Sequence, residues 1–304
     1  MTGREFIKFY SYYGGKNATK IQKKIQALIP AHKVSIEPYA GSAGITLNKK
    51  RSDIEIISDG DKDISHLLKT MADEIKGDEL RKRLKQLDID KSNFKYAKTA
   101  KVYNYYGMSD VEKAVCIFLV ICFSFNAARK SYRAIDKKDY QRRINKNIDK
   151  VYKRLQKVDV RCMDAIDLIN EYKEEQDVFM AIDPPYVSWL RTTKEVYSIE
   201  APYSEQYNLL TALTTGDIKA NMILFGYRSP SNSIDLYDYV LLRKHWTRYV
   251  LSEVSKASAN VKEGEKKPKA IEYIWLSPNY PLADEIGEYI DVESKCNWQD
   301  LFDE

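Results

Sequence analysis

The stretch "DVFMAIDPPY", residues 177–186, limits what the chain can fold into more than any other. An apolar run of the length of one buried strand ends on a carboxylate, and two prolines follow at once. Each proline fixes φ near about −65° and pushes the residue before it into an extended conformation. The chain therefore leaves the strand at Asp183 without entering a helix. An acid, two proline carbonyls and the Tyr186 ring are presented at a strand tip, where open α/β sheets bind their ligands.

Further strand signals are "VSIE" (34–37), "IEIIS" (54–58), "VDVRC" (158–162), "ANMILFG" (220–226), "DYVLL" (238–242) and "AIEYIWL" (270–276). Helical patterns separate them at both ends of the chain. One begins after a candidate cap at Asn17, carries Ile21, Ile25, Leu28 and Ile29, and stops at Pro30. Another runs through "ITLNKK" (45–50). Strand–helix–strand alternation predicts an α/β fold with one mostly parallel sheet. The stretch from 65 to 155 is helical in pattern and rich in charge, and reads as an inserted subdomain; residues 1–64 and 156–304 then form the main domain. "KASANVKEGEKKPKA" (256–270) reads as a mobile loop between strands.

Several function classes are excluded early. Four cysteines without a CxxC pair, and three histidines far from them, argue against a zinc site or a Cys/His nucleophile; no metal is expected. Few cysteines and no signal peptide point to a reducing, cytoplasmic setting. "AVCIFLVICF" (114–123) is too short to span a bilayer and reads as a buried helix, so no membrane is expected as partner. The net charge of +5 says little by itself, but Asn126 to Lys157 holds 12 Lys/Arg against 3 acids. That segment suits nucleic acid. Beyond Arg142 it equally suits a solvated amphipathic helix, with Ile144, Ile148, Val151 and Leu155 as the apolar face.

"EPYAGSAG" (37–44) joins a strand to a helix, and its glycines let the backbone turn tightly beside a ligand. It is neither a P-loop nor the dinucleotide fingerprint. Asp59 tips the next strand signal, where a carboxylate can accept both hydroxyls of a ribose; the alternative, which does not exclude it, is a cap for a helix starting near Lys62. At "DPPY", the rigid acceptors beside an aromatic face suit a planar group bearing an amino nitrogen, such as a nucleobase. The plain alternative is a proline turn with a capping Asp.

Together, "YYGGK" (12–16), "EPYAGSAG", a long insert and then "DPPY" resemble the motif order of the Dam-type, alpha-group N6-adenine DNA methyltransferases. "KAIEYIWLSPNY" (269–280) is similar to that family's closing strand. The resemblance implies a Rossmann-like methyltransferase sheet, S-adenosylmethionine as methyl donor, and an inserted, mainly helical subdomain that recognises double-stranded DNA; a monomer suffices. By matched position, Tyr12 and Lys16 contact the cofactor. Pro38, Gly41, Ser42, Ala43 and Gly44 line its methionine part, Asp59 holds its ribose, and Asp164 accepts from its adenine. Asp183, Pro184, Pro185 and Tyr186 hold the target base, with Asp183 also beside the cofactor.

DNA contacts are expected from Asn126, Arg129, Lys130 and Arg133, with Lys137 and Arg142 in the same basic segment. Departures from the family pattern are Ser11 before Gly-Gly-Lys, "FNAARK" in place of Phe-Asn-Gly, and Gly226–Tyr227 in place of more polar residues. Methylation of a cytosine amine or of RNA, and a silent DNA-binding module on the same fold, are the competing readings.

Overall fold

The computed structural model describes residues 5–12, 15–125, 129–185, 203–228, 235–255, 269–278, 280–282, 286–287 and 289–302. In chain order the elements begin α1 (Thr19–Leu28), β1 (Val34–Glu37), α2 (Gly44–Asn48), β2 (Ile54–Ser58) and α3 (Lys62–Ala72). The helical stretch continues with α4 (Glu74–Lys85), α5 (Lys91–Val102), α6 (Asp110–Cys122) and α7 (Lys137–Leu155). Then come β3 (Asp159–Arg161), α8 (Ala165–Tyr172), β4 (Val178–Ile182), α9 (Tyr203–Thr214) and β5 (Asn221–Gly226). The last are α10 (Leu236–Leu241), β6 (Thr247–Ser255), β7 (Lys269–Leu276) and β8 (Asp291–Cys296). The architecture is mixed α/β. The chain divides into two compact units, Met1–Asn17 with Ala40–Met163, and Ala18–Tyr39 with Asp164–Glu304.

In the first unit β2 and β3 pair in parallel, with Ile57 opposite Val160 and Ser58 opposite Arg161. Helices α3 to α7 build its core. Most start on an aspartate whose side chain accepts backbone N–H groups: Asp61, Asp73, Asp90 and Asp136 for α3, α4, α5 and α7. Ser109 and Glu112 close a capping box on α6. The apolar run of α6 is buried as expected, with Ile117, Phe118, Leu119, Val120 and Ile121 inside. On α7, Ile144, Ile148, Val151 and Leu155 form the buried stripe that their spacing implies.

Arg154, on that stripe, meets Glu55 of β2 with Nη1 and Nη2 (2.5 and 2.7 Å), and Lys49 Nζ reaches the same carboxylate at 2.7 Å. Burial alone would push the Glu55 carboxyl up. Arg154 and Lys49 outweigh it and hold the carboxyl below its ordinary value.

The second unit carries the strand order β1-β4-β5-β7-β6-β8. Strands β1, β4 and β5 run parallel, with Ile36 opposite Met180 and Ile182 opposite Leu224. From β5 onward the pairs β5/β7, β7/β6 and β6/β8 are antiparallel. All five residues of β4 are buried, so it is a central strand.

Three expectations are corrected. "DYVLL" is not a strand: Asp235 accepts the Tyr237 N–H as an N-cap, and Tyr237, Asp238 and Leu241 form the buried face of helix α10. The strand between β5 and β7 in the chain is β6, and β8 follows β7. Asn17 does not cap α1, whose N-cap is Ala18 without a side-chain bond. Its amide instead donates to Ser42 Oγ at 2.7 Å and to the Tyr10 carbonyl. Of the loop expected at 256–270, residues 256–268 lie outside the described residues and the last two open β7. Among the described residues no helix is long and apolar enough to cross a membrane.

Candidate functional site

In the first unit the parallel register puts the exits of β2 and β3 at one end, and Ser58 Oγ joins them through the Met163 backbone at 3.2 Å. Asp59 leaves β2 there. Its two carboxyl oxygens accept the Gly41 N–H at 2.8 Å and the Asp61 N–H at 2.9 Å, and Ser65 Oγ donates to its carbonyl at 2.6 Å. Part of the residue stays open, yet protein packs closely around the carboxyl. Burial is the largest influence and pushes it up to about 6, against the two N–H bonds, which lower it. Each oxygen retains acceptor capacity beyond its backbone bond.

Gly41 is fastened on both sides, because the Tyr10 hydroxyl donates to its carbonyl at 2.5 Å. Its φ is +49°, and a Cβ there would lie 2.9 Å from Tyr12 Cδ1. Glycine is needed at this point for the turn and for the approach of the ring. Gly44 differs from that expectation: it opens α2, and the left-handed residue is Ala43, at φ 53°. Ser42, Ala43 and Gly44 are buried, as is Lys16, while Tyr12 is half-buried. Tyr13 and Gly14 of the Gly-Gly-Lys segment lie outside the described residues.

The helix cap considered for Asp59 belongs to Asp61. One Asp61 oxygen accepts the Asp63 and Ile64 N–H groups at 2.9 and 3.4 Å. The other meets Arg129 Nη1 at 2.7 Å. Arg129 sits at φ +58°, and around it Phe125 N–H donates to the Ser131 carbonyl at 2.9 Å and Ser124 forms an antiparallel bridge with Tyr132. Its side chain is 12% exposed and its guanidinium lies 6.0 Å from the centre of the Tyr12 ring. Lys130 and Arg133 are exposed; Lys137 and Arg142 are exposed and pair with Asp88 and Asp139. Asn126 lies outside the described residues.

In the second unit, Pro38 and Asp183 leave parallel neighbours β1 and β4 at the same end. Asp183 and Pro185 are half-buried and Pro184 is buried; Tyr186 lies outside the described residues. The proline carbonyls were expected to be open acceptors. That of Pro185 is not, because Gln206 Nε2 donates to it at 2.9 Å. Gln206 is buried and accepts in turn from the Tyr237 hydroxyl. Burial raises that hydroxyl well above its ordinary value, and the nearby Tyr39, Asp235 and Asp183 add to the rise.

Asp164 caps α8, accepting the Ile166 N–H at 2.8 Å through one oxygen. The glycine at 226 is explained by space: a Cβ would meet the Trp275 ring at 3.0 Å and the Tyr237 ring at 3.2 Å.

Asp59 thus stands at the β2 exit bonded to Gly41, and the Asp-Pro-Pro corner stands at the β4 exit. The model of the D12 class N6 adenine-specific DNA methyltransferases matches residues 12–249. The chain belongs to that family. No match is found among curated proteins. The protein is thus an adenine-specific DNA methyltransferase, its family is S-adenosylmethionine-dependent, and its substrate is DNA. The mixed α/β architecture accords with a Rossmann-like methyltransferase fold. The matched span includes every candidate residue from Tyr12 to Asp183 and ends inside β6.

Sequence reasoning missed Tyr10, Asp61 and Gln206 in this methyltransferase, and gave Asn17 only a helix cap. "DGDKD" (59–63) carried a usable signal for Asp61, since acids at alternate positions before a helix are a cap pattern. Gln206 had none.

Proposed function

We propose that the methyltransferase moves a methyl group from S-adenosylmethionine to N6 of an adenine turned out of the duplex. Asp183, Pro184, Pro185 and Tyr186 are the base clamp in this reading. The observation that carries it is the Asp-Pro-Pro corner at the exit of a fully buried strand, with one carbonyl pinned by a buried glutamine.

The residues of the first unit fit the cofactor. Gly41 has room for no side chain, and Asp59 keeps lone pairs for a ribose diol after its two backbone bonds. Tyr12, Lys16 and the Gly41 to Gly44 turn would hold the rest; Pro38 and Asp164, which belong to the second unit, are assigned to the cofactor by matched position alone. When bound, S-adenosylmethionine supplies a methyl carbon made electrophilic by the sulfonium, so the protein needs to position rather than to activate.

Asp183 and the Pro184 carbonyl accept the two hydrogens of the adenine N6 amine. Those bonds draw the nitrogen lone pair away from the ring and aim it. Asp183 then takes the proton that N6 sheds on methylation. Because the Pro185 carbonyl is already used, its part is to fix the corner and the Pro184 carbonyl beside it. Tyr186 stacks on the base and offsets part of the unstacking cost, which is a few kcal/mol by order of magnitude. The 65–155 insert recognises double-stranded DNA, with exposed Lys130 and Arg133 as phosphate or base contacts.

The test is methyl transfer from labelled cofactor to unmethylated genomic DNA, with digestion to nucleosides and Asp183→Ala alongside. Label in N6-methyldeoxyadenosine that the variant loses supports the clamp. Equal labelling by the variant removes Asp183 from the chemistry.

A further inference from the structure

Arg129 was expected to reach outward to DNA, yet it points into its own unit and ends on Asp61 Oδ2 at 2.7 Å, with Asp63 at 3.9 Å. Both partners of the closer pair are largely buried, with side chains 12% and 10% exposed. Asp61 is also the residue whose N–H fixes Asp59, and Asp59 fixes Gly41. One unbroken run of bonds therefore joins the 123–133 segment to the β2 exit: Arg129 to Asp61, Asp61 to Asp59, Asp59 to Gly41. The left-handed backbone at Arg129 is uncommon for a long side chain. Its N–H donates to Ser124 Oγ at 2.9 Å, so the Arg129 backbone is held as well.

We infer that Arg129 is a positioning residue for the cofactor pocket: through Asp61 it sets the Asp59 carboxylate and the Gly41 turn, and so ties the cofactor site to the segment that enters DNA recognition. The inference rests on the reading of Asp59 as the ribose acceptor. It gives Arg129 a role different from that of exposed Lys130 and Arg133, which stand next to it in the chain. A contact of this kind makes cofactor binding and DNA binding mutually dependent, since a ligand at either end bears on the same bonds.

The groups facing Asp59 are Tyr10 and Tyr12 from the N-terminal segment, Asp61 from its own turn, and Arg129. The Arg129 charge favours the ionised carboxylate and the Asp61 charge opposes it. Arg129→Gln and Asp61→Asn therefore shift the pH midpoint of cofactor binding in opposite directions, up for the first and down for the second. General disturbance of the fold would move both the same way.

The experiment is equilibrium binding of S-adenosylmethionine to the full chain without DNA, across pH, for the parent, Arg129→Gln, Arg129→Lys, Asp61→Asn and Asp59→Asn. Arg129→Gln is expected to weaken the cofactor about ten-fold, a factor within the ordinary range of site-to-site coupling. KM for DNA should change less, and Arg129→Lys should restore most of the loss. Unchanged cofactor affinity and midpoint in Arg129→Gln, with a raised KM for DNA, overturns the inference and makes Arg129 a DNA contact. If Arg129→Gln does not fold, Asp61→Asn decides alone: an unmoved midpoint and affinity overturn it. Asp59→Asn separates the two levels, because full cofactor affinity in that variant defeats the ribose reading itself.

Discussion

Gln206 Nε2 donates to the Pro185 carbonyl at 2.9 Å, and the Gln206 amide oxygen accepts from Tyr237. A buried amide thus fixes one end of the Asp-Pro-Pro corner from α9 and α10. Replacing it by an apolar side chain of similar size leaves the buried Tyr237 hydroxyl without its partner, at about 1–3 kcal/mol, and releases the half-buried Pro185 carbonyl. Gln206→Leu should lower the melting temperature and reduce kcat, while cofactor affinity stays near that of the parent. Melting and steady-state kinetics at saturating cofactor check this.

Gly41→Ala should cost cofactor affinity. The left-handed conformation at +49° strains an alanine by roughly 1–2 kcal/mol. The new methyl also meets the Tyr12 ring at 2.9 Å, so that ring or the turn must shift. Titration calorimetry with S-adenosylmethionine reads the loss. Gly44→Ala, at a helix start without positive φ, should lose less.

The Asp59 carboxyl is raised by burial from 3.8 to about 6. The folded chain therefore holds this proton more tightly than the unfolded one. The stability the group contributes is full below 3.8 and lost as pH rises through about 6. In the proposed site ribose hydroxyls would donate to the ionised form, so cofactor affinity should move the other way, falling as pH drops through about 6. Binding measured from about pH 5 to pH 8 should show that midpoint, and Asp59→Asn should flatten it.

Glu55 joins β2 to α7 through Arg154 and Lys49, with the Lys49 and Glu55 side chains 1% and 2% exposed. Removing one partner of a buried ion cluster leaves uncompensated charge, so Glu55→Ala should destabilise by about 3–5 kcal/mol. Its carboxyl is held below the ordinary value, so its contribution is present at neutral pH and lost as pH falls. Urea unfolding at low and high salt checks both size and origin, since a buried cluster is screened little.

The parts of the fold legible in sequence were those where a short buried run meets a hard stop. β1 and β2 were read to the residue because Pro38 and Asp59 end them. The amphipathic stripe of α7 and the buried α6 followed from apolar spacing. "DYVLL" misled because five residues cannot separate a strand from a short helix, and the deciding cap, Asp235, lay three residues before it. β8 was invisible: "DVESKC" is a largely exposed edge strand whose side chains show no alternation. Asp59 and Asp183 were legible as acids at strand exits. Gln206 and the inward turn of Arg129 depend on contacts distant in sequence, which no local pattern encodes.

In the proposed mechanism Asp183 acts on the amine after both ligands are bound. The most direct measurement is the single-turnover rate of methyl transfer for Asp183→Asn against the parent, with cofactor and DNA both saturating. Cofactor and DNA affinities should stay within a few-fold, and the rate should fall by about 10²–10⁴, the span of a positioned acid–base group. A variant that binds both ligands and turns over at close to the parental rate would contradict the account.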